Sequence, residues 1–152
     1  MKSICTSLLI TFLLSAGALK VSAQNQDMAS IITRTETAMK TIEKTDRVIE
    51  RTVFDFLKKG NSTRYSYSYK FYNPEIYHLT LIEDPAEISA GTLKIYYIQN
   101  EKWVLLNTFS STGEGFNIKF TPYRTDTYKI EYSCTLKDQD RQAGFGLVID
   151  RE

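Results

Sequence analysis

At Gly60 the hydrophobic period of this chain changes. That switch, more than any single residue, limits what it can fold into. From Tyr65 onward apolar residues recur at every second position. Tyr65, Tyr67, Tyr69 and Phe71 alternate with Arg64, Ser66, Ser68 and Lys70. Tyr77, Leu79 and Leu81 alternate with His78 and Thr80, and Leu93, Ile95 and Tyr97 with Lys94 and Tyr96. Period two is the signature of a strand with one buried face. Further runs cover Trp103 to Thr108, Phe116 to Phe120, Thr127 to Cys134 and Phe145 to Ile149. Between them stand turn signals: Asn73-Pro74, Glu83-Asp84-Pro85, Gln99-Asn100-Glu101-Lys102, a loop from Ser110 to Gly115, Pro122, and the polar stretch Lys137 to Gln142. Seven or eight short strands with no helical crossover between them predict an all-β antiparallel sandwich over residues 61–152.

Before Gly60 the pattern is helical. Met28, Ile31, Ile32, Thr35, Met39, Ile42, Ile49, Val53, Phe56 and Leu57 recur at spacings of three, four or seven, which predicts one long helix over residues 24–60. Lys58-Lys59-Gly60 is a stop signal for it. The stripe thins at Thr45 and Asp46, where the helix would be solvated on one side, bend or break. Six threonines make it a weak helix by propensity. It therefore needs a partner, either its own β-domain or a second copy. Heptad positions Met28, Thr35, Ile42, Ile49 and Phe56 permit self-association through a short coiled coil.

Residues 1–23 read as a signal peptide. Lys2 gives a positive start, Ile4 to Leu19 is apolar or small, and Val21-Ser22-Ala23 is a small-residue cleavage site. The ending in Ser-Ala-Gln resembles signal peptides of Bacteroidetes-type bacteria. The expected product is exported to the periplasm, cell surface or medium, with no stable membrane anchor after cleavage. Ala18 stands where a lipoprotein would carry its cysteine. Cys5 leaves with the segment, so Cys134 remains alone and no intrachain disulfide can form. The whole chain has 19 basic and 18 acidic residues, and loss of Lys2 and Lys20 turns its formal charge from +1 to −1. Such a balance gives no support for nucleic acid.

Residues 116–134 combine an apolar strand, the turn Thr121-Pro122-Tyr123 and the pattern Thr127-Tyr128-Lys129-Ile130-Glu131-Tyr132. This segment resembles the second half of jelly-roll-like accessory domains, namely the bacterial pre-peptidase C-terminal domains and GOLD-like sandwiches. Asp126 replaces the glycine usual before the Thr-Tyr pair. The resemblance implies a non-catalytic sandwich that binds protein, lipid or carbohydrate, or assists secretion.

Catalytic chemistry finds little support. His78 and Cys134 form the one available Cys–His pair, and nothing in their spacing brings them together. Cys134 shares its alternation with Tyr128, Ile130 and Tyr132, as a buried small residue would. Asp138-Gln139-Asp140 before Gly144 lacks the glycine position and the distal glutamate of a calcium loop. Glu83, Asp84 and Glu87 are accounted for by turn chemistry. No catalytic residue, metal site or cofactor is expected.

The ten tyrosines remain. Tyr65, Tyr67 and Tyr69 form a row on one strand face, either core filling or an aromatic ridge. Tyr96 and Tyr97 point to opposite faces, so one ring is outward, and Trp103 beside Lys102 can join it. Tyr65, Tyr67, Tyr69, Tyr96 and Trp103 are the candidate ligand-binding residues. The expected function is a secreted or periplasmic non-enzymatic module that binds another protein. The alternatives are a carbohydrate or small ligand on the same rings, or a small hydrolase with an unrecognised site.

Overall fold

The thinning of the apolar stripe at Thr45 and Asp46 is a change of element. The computed structural model describes residues 28–58, 64–138 and 141–152. Its one helix, α1, spans residues 28–42 and stops there. The backbone N–H of Thr45 and its hydroxyl both donate to the Ile42 carbonyl, at 2.9 and 2.6 Å, closing the helix end. The chain then enters strand β1, Val48–Lys58. The expected helix over 24–60 is therefore corrected to a short helix followed by the first strand of the sandwich. Ile49, Val53, Phe56 and Leu57 fit both periods. The β-branched and aromatic content of Val48-Ile49 and Thr52-Val53-Phe54 favours the strand, and a ladder to the last strand of the chain settles it. The signal segment, Cys5, and the stop signal at Lys59-Gly60 lie outside the described residues.

Seven more strands follow: β2 Arg64–Phe71, β3 Tyr77–Glu83, β4 Ile88–Gln99, β5 Lys102–Ser111, β6 Phe116–Phe120, β7 Asp126–Leu136 and β8 Gln142–Arg151. They form two four-stranded sheets, β1-β8-β3-β6 and β2-β7-β4-β5, in which every pairing is antiparallel. The chain passes between sheets at every connection except the β4–β5 hairpin and the β7-to-β4 neighbours are made across the sequence, which is the jelly-roll arrangement. The sandwich predicted from the alternation is thus the fold, with eight strands.

The two inner faces enclose a core that includes Leu79, Leu81, Leu93, Ile95, Ile130, Leu147 and Ile149. At one end Phe71, Tyr77, Phe120 and Tyr128 pack edge to face, with centroids 4.8–5.7 Å apart. Helix α1 lies on the outer face of the β1-β8-β3-β6 sheet. Ile31 and Ile42 join Ile82 and Val148 there, flanked by Met39, Ile49 and Phe56. Gly144 and Gly146 of β8 make that contact close, because a Cβ on Gly144 would lie 2.7 Å from Ile31. The apolar stripe of α1 thus packs on its own chain. The outer face of the other sheet has no helix over it among the described residues.

Candidate binding face

The uncovered face is built by alternation in β4. Leu93 and Ile95 are fully buried between the sheets, so Lys94, Tyr96 and Ile98 point outward. Register places Tyr96 between Leu105 of β5 and Lys129 of β7, and Ile98 opposite Trp103. A β-bulge between Ile95 and Tyr96 carries Leu106 as the extra residue of β5. The result is an apolar surface cluster. Leu105 is 49 % exposed, Trp103 42 %, and Ile98 and Leu106 each 37 %.

Charged groups frame the cluster. The Lys129 ammonium lies 4.2 Å from the Tyr96 ring centroid and 5.7 Å from that of Trp103. The Tyr96 hydroxyl donates to Glu131 Oε1 at 3.3 Å. Arg64 Nε is 3.7 Å from the same oxygen and Lys129 Nζ 3.9 Å from Oε2. Lys94 is the cross-strand partner of Glu131. Burial first, and then the Glu131 carboxylate, push the Tyr96 phenol above its ordinary value, so it remains a neutral donor.

Tyr96 and Trp103 therefore lie on one face, with ring centroids 4.2 and 5.7 Å from the Lys129 ammonium. Tyr65, Tyr67 and Tyr69, candidates for ligand binding by sequence, do not join them; of the two placements open to the row, core filling or an aromatic ridge, it takes the first. All three are half-buried and face the opposite sheet. Tyr65 packs on Phe145 at 5.3 Å and Tyr69 on Phe71 at 4.8 Å. Tyr69 donates to Glu50 at 3.4 Å, and Arg51 lies over Tyr67 at 5.8 Å, so the row closes the seam between β1 and β2. Of the adjacent pair, Tyr96 is outward, and Tyr97 turns inward against Tyr123 at 5.1 Å.

Sequence reasoning missed Ile98, Leu105, Lys129 and Glu131. One signal was present: Trp103-Val104-Leu105-Leu106 has no polar alternation. In an edge strand such a run must leave apolar side chains on the surface.

The remaining candidates separate. His78 sits on the outer face of the helix-bearing sheet, with Nε2 2.9 Å from Glu152 Oε1. Cys134 packs at the inner face of the other sheet, so the two form no dyad. Burial pushes the Cys134 thiol up to about 11, with Glu83 adding to it, which disfavours a thiolate nucleophile. Glu83 is a fully buried carboxylate held by three donors: the Tyr132 hydroxyl at 2.7 Å, the Gly115 N–H at 2.9 Å and the Ser111 hydroxyl. Glu87 pairs with Arg141, and Asp84 accepts from the Ala86 N–H at 3.0 Å. These are internal tethers. Among the described residues no group of three His, Cys, Asp or Glu side chains is placed to hold a metal ion. None of their helices is long and apolar enough to cross a membrane.

No protein-family model matches the chain, and no curated protein sequence matches it. Solved structures do. The chain is similar to the pre-peptidase C-terminal domain of collagenase from Bacillus anthracis, with a TM-score of 0.50 and 11% identity over 66% of this chain and 89% of that one. It is also similar to the Yersinia pseudotuberculosis-derived mitogen, with a TM-score of 0.50 and 10% identity over 67% and 86%. At such identities the likeness is one of fold: this is an antiparallel β-sandwich of the jelly-roll type. The resemblance read from residues 116–134 thus extends to the three-dimensional arrangement.

Proposed function

We propose that this protein is an exported, non-enzymatic binding module whose ligand is another protein, held on the outer face of the β2-β7-β4-β5 sheet. The observation that carries this reading is the exposure of Trp103, Leu105 and Ile98 side by side around Tyr96, on a sheet face with no helix over it among the described residues. Contiguous apolar surface rimmed by charge is the anatomy of a protein interface, and Trp and Tyr are its usual anchors. The same geometry disfavours a stacked sugar. The Lys129 ammonium lies 4.2 Å from the Tyr96 ring centroid and 5.7 Å from that of Trp103, and the other neighbours, Ile98, Leu105 and Leu106, are aliphatic. Export is supported by the residue pattern of positions 1–23.

The test compares the wild-type protein with a Trp103→Ser/Leu105→Ser variant as baits for a native envelope fraction, alongside a glycan array. Both side chains are exposed, so the variant keeps its fold, as circular dichroism would verify. A defined protein retained by the wild type and lost by the variant is the expected result. Equal retention by both baits, or glycan binding that depends on Trp103, would overturn the reading.

A further inference from the structure

The open edge of that sheet and the charge around it define the occupant more closely. Among the described residues strand β5 has a ladder only to β4 and ends the order β2-β7-β4-β5. It runs ten residues, Lys102–Ser111, without a proline and with no charge after Lys102. Edge strands are normally blunted by shortness, proline or charge. The other edges of the sandwich are protected in such ways. β6 is five residues long and is followed by Pro122. β1 carries Glu50, Arg51 and Asp55, and β2 carries Arg64 and Lys70. Among the described residues β5 is the edge that is long, free of proline and uncharged after Lys102, with its Phe109 packed on Phe116 of β6 at 6.2 Å.

Among the described residues, charge on the adjoining face is mostly positive. Arg64, Lys70, Lys94 and Lys129 all project outward by the alternation of β2, β4 and β7, against the single carboxylate of Glu131. That carboxylate is 9 % exposed and is already engaged by Arg64, Lys129 and Tyr96. The whole chain is nearly neutral, at a formal +1, so the excess of cations is local to this face. The Lys129 side chain leans across β4 until its ammonium is 5.7 Å from the Trp103 ring, which brings positive charge to β5 itself. Alternate side chains of a strand added to β5 would point to the same face, where Trp103 and Leu105 offer apolar contact and Lys129 an anion partner.

Resting on the protein-binding reading above, we infer that the ligand is an acidic, extended polypeptide segment that adds to the free edge of β5 as a ninth strand. Backbone hydrogen bonds to β5 hold it, and its carboxylates face the basic surface.

The probe is an end-blocked ten-residue peptide alternating Glu and Val, titrated into the purified protein and followed by amide chemical shifts. The comparison ligands are its Lys/Val counterpart, a Glu/Val peptide N-methylated at alternate residues, and polygalacturonate. The expected result is a saturable shift concentrated at Lys102–Ser111. Binding should be at least about fivefold weaker for the Lys/Val and N-methylated peptides, for the Lys129→Gln variant and in 0.5 M salt (roughly 1 kcal/mol). Three results would overturn the inference: no shift with the Glu/Val peptide, equal binding by the N-methylated or Lys/Val peptide, or the same shifts produced by polygalacturonate alone. If any of these occurs while Trp103→Ser/Leu105→Ser still abolishes partner capture, the protein-binding reading stands and only the extended acidic ligand is withdrawn.

Discussion

A Cβ placed on Gly146 would lie 2.2 Å from Oγ1 of Thr35. This contact sets the distance at which helix α1 rests on β8. Thr35 is fully buried, and its hydroxyl donates to the Ile31 carbonyl at 2.9 Å, so it cannot swing aside without exposing a polar group. Gly146→Ala should therefore destabilise the protein by about 1–3 kcal/mol, the usual range for overpacking. The chemical-denaturation midpoint measures it. Thr35→Ala in the same molecule should recover part of the loss, because the nearest remaining Thr35 atom, its Cβ, is 3.2 Å away. A Gly146→Ala protein as stable as wild type would mean that α1 does not sit on β8 this closely.

Asp150 on the same sheet is fully buried, and neither of its carboxylate oxygens has a hydrogen-bond partner among the described residues. Arg47 Nη1 approaches Oδ2 to 3.2 Å as an ion pair. Burial pushes the Asp150 carboxyl above the ordinary carboxylate range, Arg47 and His78 pull it part of the way back, and Glu152 raises it. A carboxyl whose folded pKa is raised binds its proton more tightly in the native state. Its stabilising contribution is complete below the unfolded value of about 4 and is lost as pH rises through the folded value. At pH 7 the ionised group therefore costs stability. Asp150→Asn, neutral and nearly isosteric, should raise the urea midpoint at pH 7 and lose that advantage near pH 3. A destabilised Asp150→Asn at pH 7 would show that the Arg47 pair outweighs burial.

The opposite end of the pH scale tests the phenols of Tyr69 and Tyr132 and the thiol of Cys134. Burial, followed by Glu50, pushes the Tyr69 phenol up to about 12. Burial and Glu83 raise that of Tyr132 well beyond its ordinary value. The Cys134 thiol stands at about 11. In each case the unfolded chain loses its proton first, so stability is full below the unfolded values and declines as pH climbs from about 9. Denaturation midpoints between pH 8 and 11.5 should fall steadily, and Cys134→Ala should delay the onset. Tyr132→Phe should cost about 1–3 kcal/mol at pH 7, since it removes the donor to Glu83 Oε1, and should flatten the decline above pH 10. A flat profile in the wild type would contradict the buried placement of these groups.

Legibility followed the physics of period. Leu79, Leu81, Leu93, Ile95 and Ile130 were assigned correctly to inner faces because alternation specifies a face. It does not specify a neighbour. Nothing in the sequence says that β8 inserts between β1 and β3, since that order comes from contacts far apart in the chain. Residues 48–58 were read as helix because Ile49, Val53, Phe56 and Leu57 satisfy either period. Only the ladder to β8 decides between them. The Tyr65 row was ambiguous for a related reason: a tyrosine face serves equally as core edge or as surface. That one ring of the Tyr96–Tyr97 pair faces outward was legible from alternation, and Trp103 from its place beside Lys102. The aliphatic and basic residues around them were not, because their meeting depends on a bulge and on strand order.

The hairpin that carries Trp103 turns through Asn100 and Glu101, at φ of 50° and 62°. Two consecutive left-handed residues make a type I′ turn, the form whose twist matches the strands it joins and which favours Asn-Gly. Asn100 suits its place, but Glu101 does not, because a Cβ in that region costs roughly 1 kcal/mol. Glu101→Gly should therefore stabilise the protein by about 0.5–1 kcal/mol, less than the full strain because glycine also gains freedom when unfolded. The denaturation midpoint should rise with no change in m value. The same substitution removes an acidic group next to Lys102, at the end of the proposed docking edge, so the Glu/Val peptide should bind the variant at least as tightly as wild type. A midpoint that falls would show that the tip is not held in the I′ form, and the register of β4 against β5, which places Tyr96 beside Leu105, would need another cause.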